Sequence, residues 1–131
     1  MSYQSKTSFA PVLIIPGGIT NVDFYKKAFG AVEVRRFSNT DGSIHVVEFT
    51  IDDALFHLHE ENYIKRAFSP LSCNGITTNI GLMVADVDTM VAQAIAAGAK
   101  EISSLQDYDY GLRQGEIQDP FGHHWTIQKL I

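Results

Sequence analysis

Cysteine is almost absent from this chain: Cys73 is the only one among 131 residues, so no internal disulfide can form, as suits a reducing compartment. Basic residues are scarce as well. Ten Lys and Arg stand against fifteen Asp and Glu, a net charge of −5, and nucleic-acid binding, which needs a clustered basic face, is not expected. The basic doublets Lys26–Lys27 and Arg35–Arg36 read as solvated surface. No apolar run approaches the ~20 residues of a membrane-spanning helix, and the opening MSYQSKTSFAP lacks the apolar stretch of a secretion signal. The expectation is a cytoplasmic protein with no membrane partner. What remains is 45% hydrophobic and 19% charged, the composition of one globular domain spanning 1–131.

What the chain does contain is a repeat of itself. Residues 12–34 lie without a gap over 80–102, an offset of 68, matched mainly in apolar pattern. Gly30–Ala31 falls on Gly98–Ala99 and Glu33 on Glu101; after one added residue Gly42 falls on Gly111, and 54–60 falls on 123–129. A fixed period of this length means two copies of one supersecondary unit, each too small to bury a good core alone.

The unit reads as βαβββ. Ala10 to Ile15 is a branched apolar strand stopped by Pro16 and two glycines. Thr20 and Asp23 resemble a helix-capping pair, Val22, Tyr25, Ala28 and Phe29 recur at helical spacing, and Gly30 supplies a left-handed helix end. Strands are expected at Val32–Phe37, Ile44–Ile51 and Ala54–Glu60, separated by NTDG and DD. The second copy gives Thr78–Val84, a helix capped by Asp86 or Asp88 and ended by Gly98, then Glu101–Leu105, Leu112–Gln118 and His124–Ile131. Module one is placed at 10–60, a linker at 61–76 and module two at 77–131. The fold class is α+β, with the two βαβββ modules forming a curved mixed sheet around a cleft.

VDFYKKAFGA at 22–31 and YGLRQGEIQDPFGHHW at 110–125 resemble the vicinal oxygen chelate superfamily of glyoxalases, bleomycin-resistance proteins and extradiol dioxygenases, and within it the PhnB-like branch. The resemblance implies a cleft between paired modules, across or beside a homodimer interface. In catalytic members it also implies a metal held by one residue from the first strand and one from the fourth strand of each module. Those positions fall here on Pro11, His57, Asn79 and Thr126, and the repeat pairs them in the same way. Only His57 is a competent ligand, because Pro11 has no side-chain donor, Thr126 a neutral hydroxyl and Asn79 a weak amide oxygen.

The expectation is therefore no bound metal, with one divalent ion as the alternative. His57 and His59 share a strand face about 6–7 Å apart, and His124 lies two before Thr126 on the matching strand, so a relocated His57, His59, His124 site is the form that alternative would take. Otherwise these imidazoles are polar walls of a pocket. His45 has no obvious partner, and His123, at a strand start, is expected at the surface.

Other candidates carry bland counterparts. Asp119 in DPFG reads as a turn residue, since Asp, Pro and Gly occupy the preferred positions of a type I turn. Glu48 and Glu116 are candidate general bases. Arg113 would hold an anionic ligand or pair with one of those glutamates. Tyr108 or Tyr110 would line the cleft mouth and stack on a planar ligand, whereas Trp125 and Phe24, Phe29, Phe49, Phe56 and Phe68 are core. Cys73 lies in a linker with no assignable base. Two functions follow: a metal-independent binder of a small organic molecule, contacting His57, His59, Asn79, Tyr108, Tyr110, Arg113, His124 and Thr126, or a lyase, isomerase or dioxygenase-type enzyme acting on a small carbonyl or enolisable substrate.

Overall fold

The structure, a computed structural model, describes residues 6–131. Each half folds as one βαβββ unit. The first comprises β1 (Val12–Ile15), α1 (Phe24–Phe29), β2 (Val32–Ser38), β3 (Ile44–Ile51) and β4 (Ala54–Glu60). A short α2 (Pro70–Cys73) lies in the connection, and the second unit comprises β5 (Asn79–Met83), α3 (Val87–Ala96), β6 (Lys100–Asp107), β7 (Leu112–Gln118) and β8 (His124–Leu130). The strands form two separate four-stranded mixed sheets, ordered β1-β4-β3-β2 and β5-β8-β7-β6. In each, the first strand runs parallel to the fourth, with Val12 opposite His57 and Asn79 opposite His124.

Local chemistry explains the element ends. α1 stops after six residues because Gly30 adopts φ 66°, and its amide bonds back to the last turn. The expected Thr20–Asp23 cap is not made. Instead the Asn21 side-chain oxygen accepts from the Asp23 amide at 2.9 Å. Asp86, not Asp88, caps α3, accepting from the Thr89 amide at 3.1 Å. The exposed edge strand β2 carries a bulge around Val34 and another before Ser38, irregularities that discourage pairing with a stranger's edge. Among the described residues no helix is long and apolar enough to cross a membrane.

How the halves meet is decided by one ring. Tyr25 on α1 is fully buried, with ring centroids at 5.8 Å from Phe49 on β3, 5.5 Å from Phe56 on β4 and 6.1 Å from Trp125 on β8. Phe29 is 4.8 Å and Phe56 5.5 Å from Trp125, so the apolar sides of both sheets meet in the rings around Tyr25. Both sheets thus contribute to one core, which also holds Ile15, Leu58, Ile117 and Ile127.

The core contains one deliberate polar centre. Asp119, 3% exposed, accepts hydrogen bonds from the Tyr25 hydroxyl at 2.6 Å, Trp125 Nε1 at 3.0 Å, and the amides of Phe121 at 2.9 Å and His123 at 3.0 Å. Asp119 is the expected turn residue, and it also fastens module two to module one. Burial first, and then the adjacent carboxylate, pushes the Tyr25 phenol well above its ordinary value. The unfolded chain surrenders that proton near pH ~10 while the folded chain keeps it, so its stabilisation is whole below pH ~10 and is lost as pH climbs further. Urea unfolding between pH 8 and 11.5 should show Tyr25→Phe lacking up to about 1.4 kcal/mol per pH unit of the alkaline decline seen in the parent.

Candidate functional site

With the apolar sides turned inward, the other face of each sheet is open, and strand alternation places the polar candidates there. On the first sheet, Glu48 of β3 is opposite His57 of β4, Val46 opposite His59, and Arg35 of β2 opposite Glu48. The Arg35 guanidinium donates through Nε to the Glu48 carboxylate and lies 5.5 Å over the Phe37 ring. That hydrogen bond holds the Glu48 carboxyl below its ordinary value, keeping it anionic although the residue is 7% exposed. Its second oxygen is 3.4 Å from His57 Nε2, and His57 Nδ1 is 3.4 Å from His59 Nε2. The two rings stack at 5.6 Å. Burial, reinforced by His57, lowers the His59 pKa, so this ring favours its neutral form.

The open face of the second sheet carries a continuous hydrogen-bonded chain. Thr126 Oγ1 donates to Asn79 Oδ1 at 3.0 Å, Asn79 Nδ2 donates to Glu116 Oε1 at 3.0 Å, and Glu116 Oε2 meets His124 Nδ1 at 2.7 Å. Glu48 and Glu116 hold matching register positions on the third strand of each unit, opposite His57 and Thr126 respectively. Their histidine partners do not, since His57 corresponds to Thr126. A carboxylate fixing one imidazole nitrogen leaves the other free to exchange a proton, the arrangement that general-base chemistry requires.

A family model described as Glyoxalase/Bleomycin resistance protein/Dioxygenase superfamily matches residues 20–127, most of the chain. The chain belongs to that superfamily. A relative in Mycobacterium bovis, an uncharacterised protein, is 32% identical over all of this chain and 88% of its own length. Among solved structures, TioX from Micromonospora sp. ML1 is 26% identical with TM-score 0.67, covering 95% of this chain and 100% of that one. An Arabidopsis thaliana gene product is 27% identical with TM-score 0.70, covering 94% and 98%.

Within this glyoxalase-superfamily chain, the four positions that the resemblance assigns to a metal form two pairs on different sheets. The Pro11 carbonyl accepts from the His57 amide at 2.8 Å, and Thr126 bonds Asn79. Pro11, Asn79 and Thr126 do not offer the donors such a cage requires, so the four-ligand cage does not fit. The His57, His59, His124 set is likewise not assembled in one chain, because His124 lies on the other sheet. Among the described residues no group of three or more His, Cys, Asp or Glu is arranged to hold an ion.

Three further expectations need correction. Arg113 reaches neither glutamate: it donates to Asp88 at 3.1 and 2.7 Å and to Asp107 at 3.0 Å, pinning α3 to the β6–β7 hairpin. Strand parity explains this, since residue 113 points opposite to 114 and 116. His123 is half-buried, with Nε2 2.7 Å from the Ile14 carbonyl, and so stitches β8 to β1. His45 does have a partner, Glu60, at 3.5 Å.

Tyr108 and Tyr110 stack on each other at 5.2 Å in the β6–β7 turn. Leu112 pairs with Leu130, whereas Gln118 pairs with His124, so the two tyrosines lie at the far end of β8, about 20 Å from His124. Phe68 sits outside the core against Tyr63. A groove of about 370 Å³ runs between β1 and β5, lined by Pro11, Ile14, Phe68, Ile76, Ile80 and His123, and reaches neither polar cluster. The sequence reading did not pick out Tyr25 as the partner of Asp119; its helical spacing announced a buried ring and gave no sign of the hydroxyl's destination.

Proposed function

We propose that the protein works in the cytoplasm as a homodimer, in which the Glu48–His57–His59 face of one copy stands opposite the Asn79–Glu116–His124–Thr126 face of the other, and that each resulting cleft binds a small organic molecule without requiring a metal. The YGLRQGEIQDPFGHHW segment favours the PhnB-like branch. One observation supports the reading: the two polar clusters lie on separate sheets, each beside apolar side chains that are exposed in a single chain. Val12, Val32 and Phe37 on the first sheet and Met83 and Leu130 on the second are 48, 63, 49, 55 and 73% exposed. A planar, partly apolar ligand with hydrogen-bonding edges matches such walls.

Sedimentation at micromolar concentration should give twice the single-chain mass of 14.5 kDa, and a monomer would remove the composite cleft. Calorimetric titration with a panel of aromatic small molecules, in the presence of chelator, should find a ligand whose affinity drops in Glu116→Gln. A panel that binds the variant and the parent equally would count against the site.

The 2.7 Å Glu116–His124 contact favours a second reading, proton transfer at a carbon next to a carbonyl. His124 would take the proton at Nε2 while Glu116 stabilises the imidazolium. Proton NMR in D₂O should then reveal deuterium entering an enolisable compound with the parent and not with His124→Ala; no incorporation by the parent across the panel leaves binding as the function.

A further inference from the structure

We infer that the pocket where the β3–β4 turn of module one meets the start of α3 binds a small organic cation, an ammonium group carried on an aromatic or aliphatic body. The inference goes beyond the proposed cleft, uses neither polar cluster and holds for one chain, whatever its oligomeric state.

The pocket encloses about 430 Å³ at a junction of the two modules, the size of a small-ligand site. Phe29 at the end of α1, Ile51 at the end of β3, and Leu82, Val84 and Met90 of module two give it an apolar floor continuous with the core. Gln93 Nε2 donates to the Ala28 carbonyl at 3.3 Å, so a bond from α3 to α1 fixes the spacing of the two sides. Met90, unbranched and polarisable, adapts its end to the shape of an apolar guest. Every charged residue on the lining is an aspartate: the exposed Asp52 and Asp53 of the β3–β4 turn, and Asp86 at the start of α3. Asp86 is held in place by the Thr89 amide at 3.1 Å and hydroxyl at 2.8 Å, and each of its oxygens keeps a second lone pair for a ligand donor. A bare metal ion has no cage here, since among the described residues no group of three or more His, Cys, Asp or Glu is arranged to hold one. A cation with an apolar body draws on both parts of the lining, and such complementarity both attracts and selects.

The duplicated fold supplies its own comparison. With the modules exchanged, the same junction joins the β7–β8 turn and the end of α3 to the start of α1. There Phe121, 7% exposed, turns inward and stacks on Tyr25 at 6.3 Å, and the lining includes Lys27 as well as Asp23. That pocket is smaller, about 320 Å³, and its charges cancel. On the first side the shorter turn sends two aspartates to the surface where the second side sends an aromatic ring into the core, and no lysine or arginine lines the pocket. One of two equivalent junctions is thus plugged and neutral, while the other is open, apolar below and anionic above.

The test is NMR titration of isotope-labelled full-length protein with phenethylamine, which is protonated at neutral pH, and with its uncharged analogue phenethyl alcohol. The amides of Ile51 to Ala54 and of Leu82 to Met90 should shift saturably with the amine. Its affinity should fall about 3–10-fold in the Asp52→Asn, Asp53→Asn double variant, and should fall again as salt rises from about 0.01 M to about 1 M. The alcohol should bind at least about 3-fold more weakly than the amine. Met90→Trp, which fills the floor, should abolish the shifts while circular dichroism shows an intact fold, and Met90→Leu, of similar volume, should retain them. Equal affinity for amine and alcohol would overturn the cation assignment. Shifts centred on Glu116 and His124, shifts that persist in Met90→Trp, or none up to about 10 mM amine would overturn the site. The titration of Glu116→Gln with aromatic molecules reads the other face, so the two readings fail separately.

Discussion

Asp119→Ala is expected to remove about 3–5 kcal/mol of folding stability, a large share of what a domain this size possesses. The carboxylate is buried and answers four donors: the Tyr25 hydroxyl, the Trp125 indole and two turn amides. Alanine strands all four in a site closed to water, at about 1–3 kcal/mol for each group that cannot find a new partner. The turn that starts β8 also loosens, because two of those donors are its own backbone. A melting temperature lower by about 10–20 °C should follow. Asp119→Asn, which keeps the shape and can still accept from some donors, should cost less, and Tyr25→Phe, which loses one bond, about 1–2 kcal/mol. Urea unfolding of the three variants checks the order. A loss below about 1 kcal/mol for Asp119→Ala would mean that water enters and serves the orphaned groups.

Much of the architecture was legible because the two periodicities differ so clearly. Alternation in IHVVEFTI and ALFHLHE gave β3 and β4 to the residue, and Gly30 announced the end of α1. Period two also put His57 and His59 on one side of their strand and His124 on the side of Thr126, while the sides of Glu48 and Glu116 stayed open. What alternation cannot say is what the buried side rests against. Phe56 and Trp125 read as core from the sequence, and only the structure shows their rings meeting around Tyr25. Arg113 was misjudged although its parity was available, and Tyr108 and Tyr110 were misplaced because a hairpin carries its turn about 20 Å from the strand end that sequence proximity suggests.

The DPFG turn supports a second large effect, for Gly122→Ala. Gly122 holds φ +92°, and a Cβ built there would stand 2.8 Å from Pro70 Cβ, with the Leu71 amide nitrogen at 3.4 Å. Two costs combine: the backbone strain of a side chain at positive φ, about 1–2 kcal/mol, and overpacking against a rigid ring at the start of α2, about 1–3 kcal/mol. Proline cannot rotate aside, so relief requires the 61–76 connection to lift from module two. Gly42 supplies the control, since its φ of +86° is nearly the same and nothing lies within 4 Å of its Cβ position. Gly42→Ala should therefore show the conformational cost alone, and Gly122→Ala should exceed it by about 1–3 kcal/mol in urea unfolding. The excess should vanish in a Gly122→Ala, Pro70→Gly double variant compared with Pro70→Gly alone, because the coupling resides in that one contact. Equal losses at the two glycines would show that the connection yields freely, and that nothing in the turn depends on its packing against α2.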